Sequence, residues 1–150
     1  MTQSVKESTH HAQWPLPQGV VDLLYQDAAS KRDLEAALRG CFRAWGYDEL
    51  IPPTFEYAET LASEAGTQLA EEMYRFTDRD GRTLALRPDL TIPAARVVAT
   101  RLHDQPMPLR LCYVGSVFRY EAPQAGRQRE FTQAGVELIG AGTPEADAEV

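Results

Sequence analysis

The chain is poor in several features that would assign it to a specialised class of protein. Only two cysteines, Cys41 and Cys112, occur among its 150 residues, and both sit within apolar patterns. This excludes the disulfide framework of a small secreted domain, and we expect two buried thiols in a reducing compartment. No run approaches the roughly 20 apolar residues that a membrane-spanning helix needs. The composition therefore favours a cytoplasmic protein without a membrane segment.

Positive charge is also scarce. The 15 lysine and arginine residues are outnumbered by 22 aspartate and glutamate residues, which gives a formal net charge of -7. Broad attraction to nucleic acid or to an anionic membrane needs an excess of positive charge, so neither is expected. Any site for an anion must therefore be local.

Recognisable catalytic motifs are missing as well. The sequence shows no nucleophile with a partnered base, no glycine loop for phosphate and no cluster of metal ligands. A hydrolase, a P-loop protein or a metal-dependent enzyme therefore has little support. His10 and His11 have no Cys, Asp or Glu cluster at ligand spacing nearby. We therefore predict a flexible tail over residues 1–16 rather than a metal site.

The remaining sequence has the composition of a globular domain, with 43% apolar and 25% charged residues. Apolar spacing predicts a helix over residues 30–45, closed by Gly46 as a left-handed cap. A second helix is predicted over residues 91–102, with Asp89 or Thr91 as its cap. The apolar face of the first helix is formed by Leu34, Ala37, Leu38, Cys41, Phe42 and Trp45.

Three stretches of the chain predict β-structure. A short strand over 47–51 should stop at Pro52 and Pro53, which cannot donate to a ladder. Runs 73–77 and 83–87 flank a turn sequence and predict a hairpin. Runs 109–121 and 131–140 predict a longer antiparallel hairpin, joined by a mobile loop over 122–130.

The last residues have the pattern of a helix start. Thr143 is a capping residue, Pro144 suits the first helical position, and Glu145 places acid in the first turn. Only about seven residues then remain, too few for a stable helix without strong packing. We therefore expect the chain to be the N-terminal part of a longer domain.

A local excess of arginine marks the longer hairpin. Arg119 and Glu121 share one face of a strand, and the guanidinium suits a phosphate while the carboxylate suits an amine. Together with Arg110, Arg127 and Arg129, this predicts an anion site. The spacing leaves an alternative open, in which the arginines form surface ion pairs with Glu121, Glu130 and Glu137.

Four sequence motifs occur in the order found in one known family. Residues 118–133, FRYEAPQAGRQREFTQ, strongly resemble motif 2 of histidyl-tRNA synthetase-like proteins, and residues 46–53, GYDELIPP, are similar to their motif 1 region. MYRFTD at 73–78 and LRPDLT at 86–91 match the same family. The resemblance covers roughly residues 17–150. It implies an α+β fold in which a class II aminoacyl-tRNA synthetase-like antiparallel sheet is flanked by helices, incomplete here because motif 3 is absent.

The resemblance implies roles in nucleotide or anion binding for three residues. Arg119 corresponds to the arginine that contacts the nucleotide α-phosphate, and Glu121 to the acid near the adenine amino group. Arg127 belongs to the motif 2 loop over the phosphates. In a protein that no longer charges tRNA, this site could be retained or vestigial.

The resemblance also implies a site for histidine. Asp89, Thr91 and Gln133 fall where the synthetase holds the α-amino end of the amino acid, and Glu137 lies deeper in the same pocket. Taken alone, Thr91 could equally be a helix cap and Gln133 a satisfied polar group on a strand.

One departure from the synthetase pattern points to a particular branch of the family. Synthetases have Arg-Pro-Glu-Gly-Thr where this chain has Arg87-Pro88-Asp89-Leu90-Thr91, with a shorter carboxylate and with bulk beside the expected pocket. Together with the run over 130–140, this resembles the regulatory subunit of ATP phosphoribosyltransferase. That family keeps the fold and has lost tRNA charging.

This branch implies a protein with no catalytic residue, metal or cofactor of its own. Its expected partners are a short-form catalytic ATP phosphoribosyltransferase, a second copy in a class II dimer and free histidine, but no tRNA or membrane. The helix ending at Trp45 and the Pro52-Pro53 region should lie near the dimer contact. The alternatives are a histidyl-tRNA synthetase, which would use ATP and Mg²⁺, and a truncated relic without function.

Overall fold

The computed structural model describes residues 15–120 and 128–150. In these residues the helices are α1 Tyr25–Ala44, α2 Ala58–Glu71, α3 Thr91–Val97 and α4 Pro144–Glu149. The strands are β1 Asp48–Glu49, β2 Phe55–Tyr57, β3 Arg75–Thr77, β4 Thr83–Leu86, β5 Leu109–Phe118 and β6 Glu130–Ile139. Most of the predicted tail, Glu121, Arg127 and most of the predicted mobile loop lie outside the described residues.

The strands of the described residues form two sheets. Strands β5 and β6 pair along their whole length, from Leu109 opposite Ile139 to Phe118 opposite Glu130, which confirms the predicted long hairpin. Strand β1 adds to β5 in the parallel direction, so this sheet is mixed rather than purely antiparallel. In the second sheet β4 lies between β2 and β3 with antiparallel pairing, which confirms the predicted short hairpin.

Helix α1 forms over the predicted residues, but its covered face is rotated from the predicted apolar face and shares only Leu38 and Phe42 with it. It begins at Tyr25, and its inward positions include Ala28, Glu35 and Phe42. Leu34 and Trp45, which belong to the predicted apolar face, are 61% and 62% exposed. An apolar stripe of the helix, hereafter the α1 stripe, therefore remains largely uncovered: Leu34, Cys41 and Trp45 are exposed, and Leu38 at its inner edge is half-buried.

The same rotation corrects the prediction for the cysteines. Cys112 is buried on β5, but Cys41 is exposed on the α1 stripe, so only one of the two predicted buried thiols is buried. Sequence periodicity identifies an apolar face but does not say whether the chain itself or a partner covers it. Gly46 follows the helix with φ +81°, as the predicted left-handed cap requires.

Helix α3 connects two apolar clusters. Ile92 packs with a cluster between α2 and the second sheet that also contains the fully buried Leu61 and Ala85. Ala94, two residues later, packs with a cluster on the first sheet that contains Leu90 and Val117. After Val97 the predicted helix continues to residue 102 as a π-helical segment. The position of α3 is thus tied to both sheets.

Helix α4 starts at the predicted cap, where the Thr143 hydroxyl accepts a hydrogen bond from the Ala146 backbone N–H at 3.3 Å. Glu149 fastens its far end, because its carboxylate accepts two hydrogen bonds from the Arg110 guanidinium at 2.8 and 2.9 Å and one from Tyr47 Oη at 2.9 Å. Arg110 therefore serves this helix and does not join the arginine cluster predicted from the hairpin. Among the described residues, no helix is both long and apolar enough to cross a membrane.

Candidate functional site

The predicted site residues of the long hairpin share one face of the first sheet. Directly paired residues of antiparallel strands project to the same side. Tyr113 pairs with Gly135, Leu111 pairs with Glu137, and Gly115 pairs with Gln133. Strand alternation places Arg119 on the same side. We call this surface the site face.

Residues 87–91, hereafter the 87–91 segment, lie across the site face and are anchored from their first residue. The Arg87 guanidinium is buried and donates to the carbonyl oxygens of Ser116 at 2.8 Å and Pro52 at 2.6 Å. A third bond reaches the Pro53 carbonyl at 3.2 Å. Burial lowers the pKa of Arg87, but a guanidinium stays charged in proteins. One side chain thus ties the Pro52-Pro53 kink to β5.

The next residues of the segment are fixed by strand side chains and by a local cap. Arg119 Nε donates to the Pro88 carbonyl at 2.8 Å, and Gln133 Oε1 accepts from the Leu90 backbone N–H at 2.9 Å. Asp89 Oδ1 accepts from the Ile92 N–H at 3.1 Å. Asp89, rather than Thr91, therefore provides the predicted cap of α3. Its other carboxylate oxygen receives no hydrogen bond from the described residues.

The last residue of the segment meets a buried tyrosine. Thr91 Oγ1 lies 3.1 Å from Tyr113 Oη, and Tyr113 Oη donates to Glu137 Oε1 at 2.9 Å. Tyr113 is 3% exposed, and burial is the main cause that raises its pKa to about 12. Its hydroxyl therefore keeps its proton throughout the physiological range.

Sequence reasoning did not select Tyr113. In the sequence, Tyr113 is one aromatic residue in an alternating strand, the usual pattern of a core position. Its place opposite Gly135 is a detectable signal: a Cβ at residue 135 would come within 2.8 Å of Tyr113 Oη. Only the register of the two strands shows that this space is needed.

The structure brings the four predicted histidine-binding residues together around the 87–91 segment. Thr91 and Glu137 are joined through Tyr113, and Gln133 and Asp89 contact backbone groups of Leu90 and Ile92. These contacts also fit the structural alternatives, since Gln133 is a satisfied strand residue and Asp89 is a cap. These structural contacts are compatible with ligand binding. Asp89 and Gln133 each use one side-chain oxygen in them and keep further polar atoms for a ligand.

Arg119, the residue predicted to bind a nucleotide phosphate, lies beside this group. Its guanidinium packs 5.3 Å from the centroid of the Phe131 ring, and among the described residues no carboxylate forms a salt bridge with it. Arg129 also contacts an aromatic ring, with its guanidinium 4.5 Å from the centroid of the Tyr120 ring. Within the described residues, none of Arg110, Arg119 and Arg129 pairs with Glu130 or Glu137, as the alternative interpretation required, and Arg110 pairs with Glu149. Glu121 and Arg127 lie outside the described residues.

The Leu90 side chain fills the middle of the site face. It is 1% exposed and packs with Tyr113 and Val117. A Cβ at Gly115 would lie 2.9 Å from the Arg87 guanidinium and 3.6 Å from Leu90 Cδ1, so these two side chains share the space above this glycine. The bulk anticipated from the departure in the sequence is therefore located between the Tyr113 end and the Arg119 end of the face.

The opposite side of the β5–β6 hairpin carries a cavity that sequence reasoning did not anticipate. It has a volume of about 490 Å³, and its walls include Lys31, Ser116 and Thr132. Lys31 and Arg32 both pair with Glu35, whose single negative charge offsets one of their two positive charges at the α1 wall of the cavity. Among the described residues, no group of three or more His, Cys, Asp or Glu side chains could hold a metal ion.

Comparison with known structures defines the class of protein. A Bacillus halodurans protein described as an ATP phosphoribosyltransferase regulatory subunit/histidyl-tRNA synthetase superposes with a TM-score of 0.80 at 40% identity, over 92% of this chain and 35% of that chain. Apo histidyl-tRNA synthetase of S. aureus gives 0.76 at 33% identity, over 91% and 32%. The fold is therefore that of the class II, histidyl-tRNA synthetase-like proteins.

The family follows from the sequence match. A family model described as histidyl-tRNA synthetase matches residues 19–150, and the chain belongs to this family. Among curated relatives, the ATP phosphoribosyltransferase regulatory subunit of Moorella thermoacetica is 58% identical over 90% of this chain and 35% of its own length. The histidine--tRNA ligase of Methanosarcina acetivorans is 47% identical, over 89% and 32%. The chain thus spans about a third of the length of these relatives.

Proposed function

We propose that this protein is the regulatory subunit of ATP phosphoribosyltransferase. The observation that carries the proposal is its likeness to proteins of that name, which are 44–58% identical to it over roughly nine-tenths of its length. It supports a short-form catalytic subunit in the first step of histidine biosynthesis and relays feedback inhibition by histidine. It acts in the cytoplasm and has no catalytic activity, metal or cofactor of its own.

Free histidine is the proposed ligand, and the site face supports it with suitable polar groups. An α-ammonium group carries three N–H donors and needs acceptors. Asp89 and Thr91 supply oxygen atoms at the edge of the 87–91 segment, and Gln133 stands beside them. Glu137 lies beyond Tyr113, and its carboxylate suits an N–H group of the imidazole ring.

The position of Leu90 supports regulation without charging. Leu90 fills the site face between the proposed histidine site and Arg119, the residue proposed for the nucleotide phosphate. Aminoacyl transfer needs the two substrates aligned to within a fraction of an ångström, whereas regulatory binding does not. The retained Arg119 is then vestigial or binds another anion, and tRNA is not a partner.

A second copy of the chain is the proposed occupant of the α1 stripe. Leu34 and Trp45 are more than half exposed, although the stripe has the spacing of a packed helix face. Arg87 ties the neighbouring Pro52-Pro53 kink to the site face. The class II dimer that the family suggests would cover the stripe and place this kink near the contact.

The second candidate function is that of a histidyl-tRNA synthetase, which would use ATP and Mg²⁺. It is favoured by the 47% identity to the Methanosarcina enzyme and by the retained Arg119. Histidine-dependent exchange of pyrophosphate into ATP separates the two functions. We expect the purified whole protein to bind histidine but to show neither exchange nor tRNA charging. Efficient exchange and charging would assign it to the synthetases.

A further inference from the structure

The geometry points to Tyr113 as a positioning residue that makes Thr91 an obligate hydrogen-bond acceptor for the ligand, so that the site selects a primary ammonium group over a hydroxyl group. This inference rests on the proposed histidine site. It concerns a residue that touches no ligand in that proposal and acts through Thr91.

The direction of the hydrogen bonds follows from counting protons. An ionised carboxylate can only accept, so the single proton of the Tyr113 hydroxyl is used in its 2.9 Å bond to Glu137. At its 3.1 Å contact with Thr91, the tyrosine oxygen must therefore accept. Thr91 has one hydroxyl proton and donates it inward, which leaves only its lone pairs facing outward.

The burial of Tyr113 maintains the directions of its hydrogen bonds to Thr91 and Glu137. Tyr113 is 3% exposed and packs among Leu90, Ala94 and Val117, so water does not compete for its hydroxyl. The strand register sets its partners, because Gly135 lies directly opposite and leaves room for the ring. Thr91 itself is exposed, so its outward lone pairs are accessible to a ligand.

Two of the polar groups at this end of the site, Thr91 and Asp89, therefore offer a ligand acceptors and no proton. Asp89 uses Oδ1 for the Ile92 N–H and keeps Oδ2. An ammonium group can donate to both Thr91 and Asp89 and still have a third proton. A hydroxyl group has a single proton, so it leaves one of these acceptors facing a lone pair. The arrangement therefore favours histidine over its α-hydroxy analogue, imidazole lactate.

Replacing Tyr113 by phenylalanine tests this mechanism. Tyr113→Phe keeps the ring but frees the Thr91 proton, which can then donate to the oxygen of the hydroxy analogue. Calorimetry should show that the wild-type protein prefers histidine over imidazole lactate by at least about tenfold, as expected for a lost charge-assisted hydrogen bond. In Tyr113→Phe the ratio of the affinity for histidine to that for imidazole lactate should fall by at least about fivefold.

Two further variants separate positioning from a general effect on structure. In a Thr91→Val background, adding Tyr113→Phe should leave the ligand ratio unchanged, because the group through which the tyrosine acts is gone. Tyr47→Phe is the matched control: Tyr47 is also buried and donates to a carboxylate at 2.9 Å, but on the other side of the sheet. Tyr47→Phe should not alter the ratio of the affinities for histidine and imidazole lactate.

The outcomes distinguish this inference from the proposed function. If the wild-type protein binds histidine and Tyr113→Phe weakens both ligands equally, the positioning role is wrong and the histidine site stands. The positioning role would also be contradicted if Tyr113→Phe changed the ratio of the two affinities equally in the wild-type and Thr91→Val backgrounds. If the wild-type protein binds neither ligand, both the histidine site and the role of Tyr113 are overturned.

Discussion

Asp89 has two functions at the residue scale, and only one of them is expected to involve the ligand. Oδ1 caps α3 through the Ile92 N–H, and the charge and the second oxygen are proposed to hold an ammonium group. An alanine substitution would remove both at once. Asparagine keeps a capping oxygen and removes the charge, so it separates the two roles.

We therefore predict that Asp89→Asn weakens histidine binding by roughly tenfold to a hundredfold, the effect of losing about 1.5–3 kcal/mol of charge-assisted hydrogen bonding. Its free energy of unfolding should change by less than about 1 kcal/mol, whereas Asp89→Ala should also lose the cap, at about 1 kcal/mol. Calorimetry and denaturant titration measure the two effects. Asp104→Asn, at an exposed position, is the control. Unchanged histidine affinity in Asp89→Asn would remove Asp89 from the site.

At the scale of secondary structure, α4 shows how a short helix is held by one carboxylate. Its few residues are not expected to be stable alone, and Glu149 links it to Arg110 on β5 and to Tyr47 before β1. The hydrogen bonds from Arg110 and then from Tyr47 lower the pKa of Glu149. A carboxyl group with a lowered pKa in the folded state stabilises the fold above its ordinary pKa, and this contribution is lost as the pH falls.

Glu149→Gln should accordingly reduce the hydrogen-exchange protection of the α4 amides near neutral pH. The difference from wild type should shrink as the pH falls below the ordinary range of glutamate, near about pH 4, because the wild-type carboxyl is then protonated too. Protection factors measured by mass spectrometry across this range provide the test. Asp147→Asn on the same helix is the control. A difference that persists unchanged in acid would show that the charge of Glu149 does not dock the helix.

The α1 stripe gives a second test at this scale. If a second copy covers it, Leu34→Asp should disrupt the dimer, because a carboxylate would be buried against apolar surface. Sedimentation velocity should show a shift towards monomer. Asp33→Asn, which changes a neighbouring exposed residue outside the stripe, should not produce it. An unchanged dimer in Leu34→Asp would place the contact elsewhere.

At the scale of the whole molecule, local sequence patterns predicted where helices and strands form more accurately than they predicted what packs against them. The hairpins followed from alternating residues and turn chemistry, and α4 followed from Thr143 and Pro144. Periodicity also found α1, but it could not show that the Glu35 face turns inward and the Cys41 face outward, since that depends on what packs against the helix. Nor could it predict the parallel addition of β1 to β5.

The residues of the candidate site were likewise predicted only in part from the sequence. Motif resemblance selected Asp89, Thr91, Gln133 and Glu137, and the fold places them around one segment. It missed Tyr113, because the role of that residue depends on contacts between distant parts of the chain. Arg110 was grouped with Arg119 by closeness in sequence, but strand alternation places the two on opposite faces.

The most direct test of the proposed function is a titration of the cognate short-form catalytic subunit with the purified whole protein, measuring formation of phosphoribosyl-ATP from ATP and phosphoribosyl pyrophosphate. We expect activity to rise to a plateau at a fixed ratio of the two proteins and to become inhibited by added histidine. Asp89→Asn should still activate the catalytic subunit, but inhibition should then need roughly tenfold to a hundredfold more histidine. A transferase whose activity and histidine sensitivity do not change when the protein is added would contradict the assignment.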